Sequence, residues 1–218
     1  MTFEELLKYI STDKPFALSR WGDGEWFTTR GGGPGGENCD GNIYYKDLGE
    51  RLKEIVSKKQ DYYMSCQHTL WAEDSQGNLV SDSNLYEQDW FDSDLLHKAS
   101  KQQKLNELIQ ILYKKIVVYI GNSNHSRLKF VDEFVEIPPN NVWKIYDKTL
   151  EQIKESISSD HKIFLLSAGM CANVFVHDLW NYNNKNTYID VGSALDPYAG
   201  IHSRGYMKKL DQSYISDI

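Results

Sequence analysis

Apolar positions along this chain fall into two patterns. Unbroken runs of strand length occur at 16–20 (FALSR), 62–66 (YYMSC), 116–121 (IVVYIG), 134–138 (FVEIP), 162–169 (KIFLLSAG) and 187–192 (TYIDVG). Several are rich in β-branched or aromatic residues, as strands buried on both faces are. Between them the period lengthens to that of a helix. Leu48, Leu52, Ile55 and Val56 share one face, as do Leu105, Leu108, Ile109 and Leu112, and the stretch from Val142 to Ile157 continues the pattern. The opening "MTFEELLKYIS" reads as an amphipathic helix with Thr2 and Glu5 at capping-box spacing. Strand and helix in alternation predict an α/β fold, with a mostly parallel sheet of about six strands covered by helices on both sides. The segments 30–42 and 67–84, rich in Gly, Asn, Ser and Asp, read as loops over a site.

Composition narrows this to one domain over 1–218, since 218 residues with 40% apolar content suffice for one full core. Three widely spaced cysteines, Cys39, Cys66 and Cys171, predict free thiols and no zinc site. Neither a leader nor a run approaching ~18 apolar residues is visible, so the expected location is cytoplasmic. A net charge of −7 offers no general attraction to nucleic acid, although a local basic groove remains compatible with it.

Ligands of such sheets bind beyond the carboxyl ends of the strands. There the chain carries "RWGDGEW", "QHTLW", "GNSNHSR", "SAGMCAN" and "GSALDPYAG". Neither G-x-G-x-x-G nor G-x-x-x-x-G-K-[ST] occurs among them, which removes the usual support for a nicotinamide dehydrogenase or a P-loop phosphohydrolase. "GGGPGG" at 31–36 is read as a flexible loop or a phosphate cradle. "SAGMCANVFVHDLW" places a glycine at a strand end with a helix directly after it, a suitable approach for a phosphate.

Asp23 and Glu25 stand two apart between glycines. In an extended segment such carboxylates point to the same side and can reach one hard cation, which would clamp a diphosphate. The bland alternative is an exposed acidic turn.

"FALSRWGDGEW" resembles the R-x-G-D-G-E signature of the GT-D glycosyltransferase fold family, first catalogued as a domain of unknown function. "NCDGNIYYKDLGERLKEIV", "VVYIGN", "FVEIPPNNVW", "IFLLSAGMCANVFVHDLW" and "YIDVGSALD" are similar to the family's later blocks, in the same order. The resemblance implies a single Rossmann-like domain and a nucleotide-activated sugar donor. It further implies a divalent metal, Mn²⁺ or Mg²⁺, held by the catalytic carboxylates Asp23 and Glu25. Arg20 becomes a counter-charge for the donor phosphates or, alternatively, a structural partner of one carboxylate. Gly22, Gly24, Gly121, Asn122, Ser167, Ala168 and Gly169 are the expected nucleotide and diphosphate contacts. Asp190 is a possible donor or acceptor contact or a plain turn aspartate, and His68, His202 and Arg204, outside the best-matching blocks, are further candidates of that kind. Trp71 and Trp90 are read as core anchors or as platforms for a sugar or base.

The expected activity is thus a metal-dependent glycosyltransferase. It would move a sugar from a nucleoside-diphosphate donor, preferably a UDP-sugar, to a hydroxyl of a glycan or glycoprotein. The alternatives are a hydroxymethylated base in phage DNA as acceptor, a non-catalytic nucleotide-binding module, and a metal-dependent phosphoesterase. The DNA alternative would need Lys98, Lys101 and Lys104, or Arg204, Lys208 and Lys209, to form a cationic groove.

Overall fold

A computed structural model describes residues 1–33, 35–38, 40–66, 72–73, 79–80, 85–92 and 94–210. Helix α1 (Phe3–Ser11) is capped as its sequence predicts, with Thr2 Oγ1 accepting from the Glu5 N–H at 3.2 Å and Glu5 accepting from the Thr2 N–H at 2.7 Å. There follow β1 (Ala17–Trp21), α2 (Asp23–Thr29), α3 (Lys46–Val56), β2 (Tyr63–Cys66), β3 (Ala72–Glu73), β4 (Leu79–Val80) and β5 (Trp90–Asp92). The second half comprises α4 (Leu95–Lys101), α5 (Leu105–Leu112), β6 (Val117–Gly121), β7 (Glu133–Glu136), α6 (Tyr146–Glu155), β8 (Ile163–Leu166), α7 (Cys171–Tyr182) and β9 (Thr187–Asp190).

Seven strands form one sheet in the order β5-β2-β1-β9-β8-β6-β7, every neighbouring pair parallel. The sheet therefore has seven strands where about six were expected. The extra one, Trp90–Asp92, is a three-residue edge strand without a readable period. β3 and β4 make a separate antiparallel pair.

Strand side chains alternate between two cores. Val118, Ile120, Phe164, Leu166 and Tyr188 pack with α2, α3, α6 and α7, whereas Val117, Tyr119, Ile163, Leu165 and Ile189 pack with α1, α4 and α5. All ten are essentially inaccessible to water, which is why β6 and β8 read as unbroken apolar runs. The helical stretch from Val142 is divided between a 3-10 turn, Val142–Ile145, and α6. Asn141 supplies a left-handed residue (φ 57°) at its entrance.

Trp21 and Trp26 are buried with ring centroids 5.0 Å apart, and Trp90 lies edge-on to both at 6.4 and 5.5 Å. This aromatic cluster fastens the start of α2 to the sheet. Trp90 thus takes the core reading, while Trp71 lies outside the described residues. α2 is pressed equally closely onto α3, where a Cβ on Gly49 would meet the Thr28 carbonyl oxygen at 2.5 Å. Gly49→Ala should therefore destabilise the fold by about 1–3 kcal/mol, read as a lower urea midpoint. An unchanged midpoint would mean that the helices separate freely.

Candidate functional site

The chain leaves β1 toward the face of α2 and leaves β9 toward the opposite face, where Ala194, Leu195 and Ala199 are buried. Between two such strands a parallel sheet opens a crevice at its carboxyl end. Arg20 stands at the end of β1 and Asp190 at the end of β9.

The backbone there is held firmly. Asn173, buried in the first turn of α7, donates to the Arg20 carbonyl at 2.8 Å and to Ser19 Oγ at 3.1 Å. Ser19 Oγ also accepts from the Trp21 indole N–H at 3.1 Å. Asp190 Oδ1 accepts the Gly192 N–H at 3.0 Å. Gly192 has a left-handed φ of 50°, and a Cβ on it would lie 3.3 Å from His97 Cε1 and 3.6 Å from Arg20 Nη1. The turn thus separates an imidazole from a guanidinium with no room for a side chain.

Asp23 and Glu25 do not lie in an extended segment as expected; they occupy the first turn of α2. Gly22 is the N-cap, and Glu25, three residues on, turns its Oε2 back to the Gly22 N–H at 2.9 Å. Asp23 is exposed, with Oδ1 accepting from the Gly24 N–H at 3.0 Å. Glu25 is buried, and that burial raises its proton affinity against the opposing pull of Arg20. Asp190 behaves alike: burial pushes it up to about 7, with Arg20 opposing and Glu25 adding to the rise. Two desolvated carboxylates, with Asp23 beside them, thus depend on Arg20.

This negative surplus and its all-oxygen donor set suit a hard divalent cation. Among the described residues no group of three or more His, Cys, Asp or Glu encloses a metal by itself. Mg²⁺-type ions commonly take one or two carboxylates and complete their shell with phosphate oxygens and water. The buried Glu25 and the exposed Asp23 supply carboxylate oxygens of that kind, but two residues apart in the first turn of a helix they do not face the same side.

The remaining candidates divide by position. Gly22 and Gly24 flank the carboxylates, and a Cβ on Gly24 would touch the Met170 sulfur at 3.7 Å. Ser167, Ala168 and Gly169 form the turn from β8 into α7, with Gly169 at φ 56°, so a side chain there would strain the backbone. Gly121 has a different reason to be glycine, since a Cβ would strike the Tyr119 ring at 2.5 Å. Asn122 caps a 3-10 turn through Asn124 N at 3.1 Å and, with Glu136 and Pro138, lines an open cleft of about 340 Å³. His202 is exposed on the segment after β9, and His68 lies outside the described residues. Arg204 grips Asp40 with two nitrogens, at 2.7 and 3.0 Å.

Two side chains unmarked in the sequence also belong to this neighbourhood. His97 from α4 is buried, with Nε2 3.0 Å from Ser193 Oγ. The pair is 96 residues apart in the chain, so no motif announces it.

The same architecture occurs in solved structures of a domain of unknown function, DUF1792. One, described as having a distinct glycosyltransferase fold, matches with a TM-score of 0.62 and 17% identity over 91% of this chain and 79% of its own. Another, described as a new glycosyltransferase (DUF1792) from Streptococcus sanguinis, covers 99% of this chain and 96% of its own, with a TM-score of 0.64 and 16% identity. No family model matches the chain, and no curated protein does. These likenesses establish a shared fold, the Rossmann-like α/β arrangement described above.

Burial, helped by the charges of Arg20, Arg204 and Lys101, pushes the His97 imidazole down to about 3. An unfolded histidine titrates near ~6.5. Between those values the unfolded chain binds the extra proton, so this group's contribution to stability is complete above about pH 6.5 and declines as pH falls. The loss reaches about 1.4 kcal/mol near pH 5.5. Asp190, with its raised value, acts in the opposite sense: its contribution is complete below about pH 4 and is lost as pH rises toward about 7. His97→Gln should remove the histidine part, so the difference between wild-type and variant unfolding free energies should shrink on acidification. A difference independent of pH would show that His97 is not buried as a neutral ring.

Proposed function

We propose that this protein is a metal-dependent glycosyltransferase that moves a sugar from a nucleoside-diphosphate donor, a UDP-sugar, to a hydroxyl of a glycan or glycoprotein. The observation that carries this reading is the closeness of Arg20 to Glu25 of the D-x-E pair, both of which would meet a Cβ on Gly22, with Asp23 adding its charge to Glu25. The shared fold with proteins described as glycosyltransferases supports it.

In the transfer, the acceptor oxygen bonds to the anomeric carbon and releases its proton to the departing diphosphate or to water, while the bond from that carbon to the diphosphate breaks. Negative charge grows on the departing diphosphate. The guanidinium of Arg20 binds phosphate oxygens in pairs and stabilises that charge more as it increases. Twelve-residue α7 begins just after the 167–169 turn and adds the favourable field of its N-terminus. Asp23 and Glu25 would hold Mn²⁺ or Mg²⁺, which when bound supplies further charge neutralisation on the phosphates.

The visible lysines give little support to a DNA acceptor. Lys98 pairs with Asp92, and Lys101 lies 5.3 Å from the centre of the Tyr206 ring. No helix among the described residues is long and apolar enough to cross a membrane.

Glu25→Gln tests the metal role cleanly, because glutamine can keep the bond to the Gly22 N–H while losing the charge. Metal-dependent release of UDP from a UDP-sugar should fall by about 100-fold or more in Glu25→Gln and in Asp23→Asn, with thermal midpoints near wild type. Full activity in either variant would remove that carboxylate from the metal site. Release of inorganic phosphate from simple esters, with UDP-sugars untouched, would replace the proposal with a phosphoesterase.

A further inference from the structure

The segment after β9 is anchored on both sides of Arg204. On one side, Ser203 Oγ donates to Asp196 Oδ2, while Asp196 Oδ1 lies 2.9 Å from Nε2 of the buried His125. On the other, Tyr206 donates to Ser100 Oγ at 3.2 Å, and Met207 is fully buried.

Asp40 sits on an equally well-held turn. Asn38 Oδ1 accepts the N–H groups of both Asp40 and Asn42 at 2.9 Å. Asn42 Oδ1 accepts from Asn141 N at 3.0 Å, and Asn141 Oδ1 accepts in return from Ile43 N at 2.8 Å. Asn42 in turn faces Gly169, where a Cβ would lie 3.5 Å from its Nδ2. The Asp40 turn therefore adjoins the 167–169 turn, which the proposed donor phosphates would approach.

Between these two fixed supports, the Arg204–Asp40 pair is itself exchangeable. Its side chains are 40% and 42% exposed, and a pair so open to water is weak. Its geometry is the two-pronged fork that a guanidinium also makes with phosphate. Arg20 belongs to the same field: its charge and that of Arg204 both act on Asp40 and both act on His97. Two guanidiniums thus serve one crevice: Arg20 among buried carboxylates and Arg204 on the half-exposed Asp40.

We infer that Arg204 is a second guanidinium for the donor diphosphate and that Asp40 takes the place of a phosphate on it when no donor is bound. The inference rests on the donor reading above. Asp40 is then an internal competitor: donor binding transfers Arg204 from one carboxylate to a more highly charged group, and product release restores the pair. This sets donor affinity below what the two arginines alone would give.

The test is calorimetric titration with UDP and Mn²⁺, in which no sugar transfer is needed. Asp40→Asn should tighten UDP binding by about three- to tenfold, and Arg204→Gln should weaken it by about tenfold or more. The double variant should match Arg204→Gln within about twofold, because Asp40 acts only through Arg204. Both side chains are half-exposed, so the variants should fold, and Asp40→Ala provides a second removal of the competitor. Weaker binding in the two Asp40 variants as well as in Arg204→Gln would make the pair a structural clasp and overturn the inference alone. So would unchanged binding in the Asp40 variants. Failure of the wild-type protein to bind UDP with Mn²⁺ would overturn the donor reading and the inference together.

Discussion

Burying a carboxylate without a compensating charge is among the costliest things a fold can do, and this site does it twice around one guanidinium. Glu25 and Asp190 are both buried, both have raised proton affinity, and both feel the opposing charge of Arg20. Much of the surrounding structure serves to hold that guanidinium in register. Asn173 fixes the Arg20 carbonyl, and Ser19 orients Asn173 and Trp21 together. The Trp21–Trp26–Trp90 cluster pins α2, so that the Glu25 carboxylate stays at the cap. A site with more buried negative charge than one arginine offsets is predisposed to attract further positive charge, and the proposed metal meets that need.

The parallel sheet explains why these groups meet at all. Asp23 and Asp190 are far apart in sequence, but β1 and β9 are hydrogen-bonded neighbours, with Ala17 opposite Tyr188 and Leu18 opposite Ile189. All seven strands run the same way, so every strand delivers its following loop to the same edge. The chain then turns to opposite faces after β1 and β9, which leaves the crevice uncovered by either connection.

Much of this fold is legible in the amino-acid order because the central strands are buried on both faces. "VVYIG" and "IFLL" can hardly be anything else once helical stretches flank them. The edge strand at Trp90 is not legible, since three residues carry no period and the pairing comes from β2. The D-x-E pair drew attention through its flanking glycines, which suggested an extended turn. A G-x-x-E spacing before an apolar residue is equally a helix start, and the structure takes that option because Glu25 can reach the Gly22 N–H. Asp40 with Arg204, 164 residues apart, and His97 with Ser193 are invisible to any local pattern. They exist only through the order in which the strands were laid side by side.

Charge provides the last step. A net charge of −7 gives this protein no long-range attraction for polyanions, yet Arg20, Arg204 and Lys101 add to the burial that depresses His97. Those cations are therefore a local contribution, set against the buried carboxylates Glu25 and Asp190 beside Arg20. A compact anion small enough to enter, accompanied by a cation that offsets the carboxylates, would meet these guanidiniums directly, whereas an extended polyanion would meet the acidic exterior first. Such a distribution suits the proposed nucleoside-diphosphate donor better than a duplex lying across the surface.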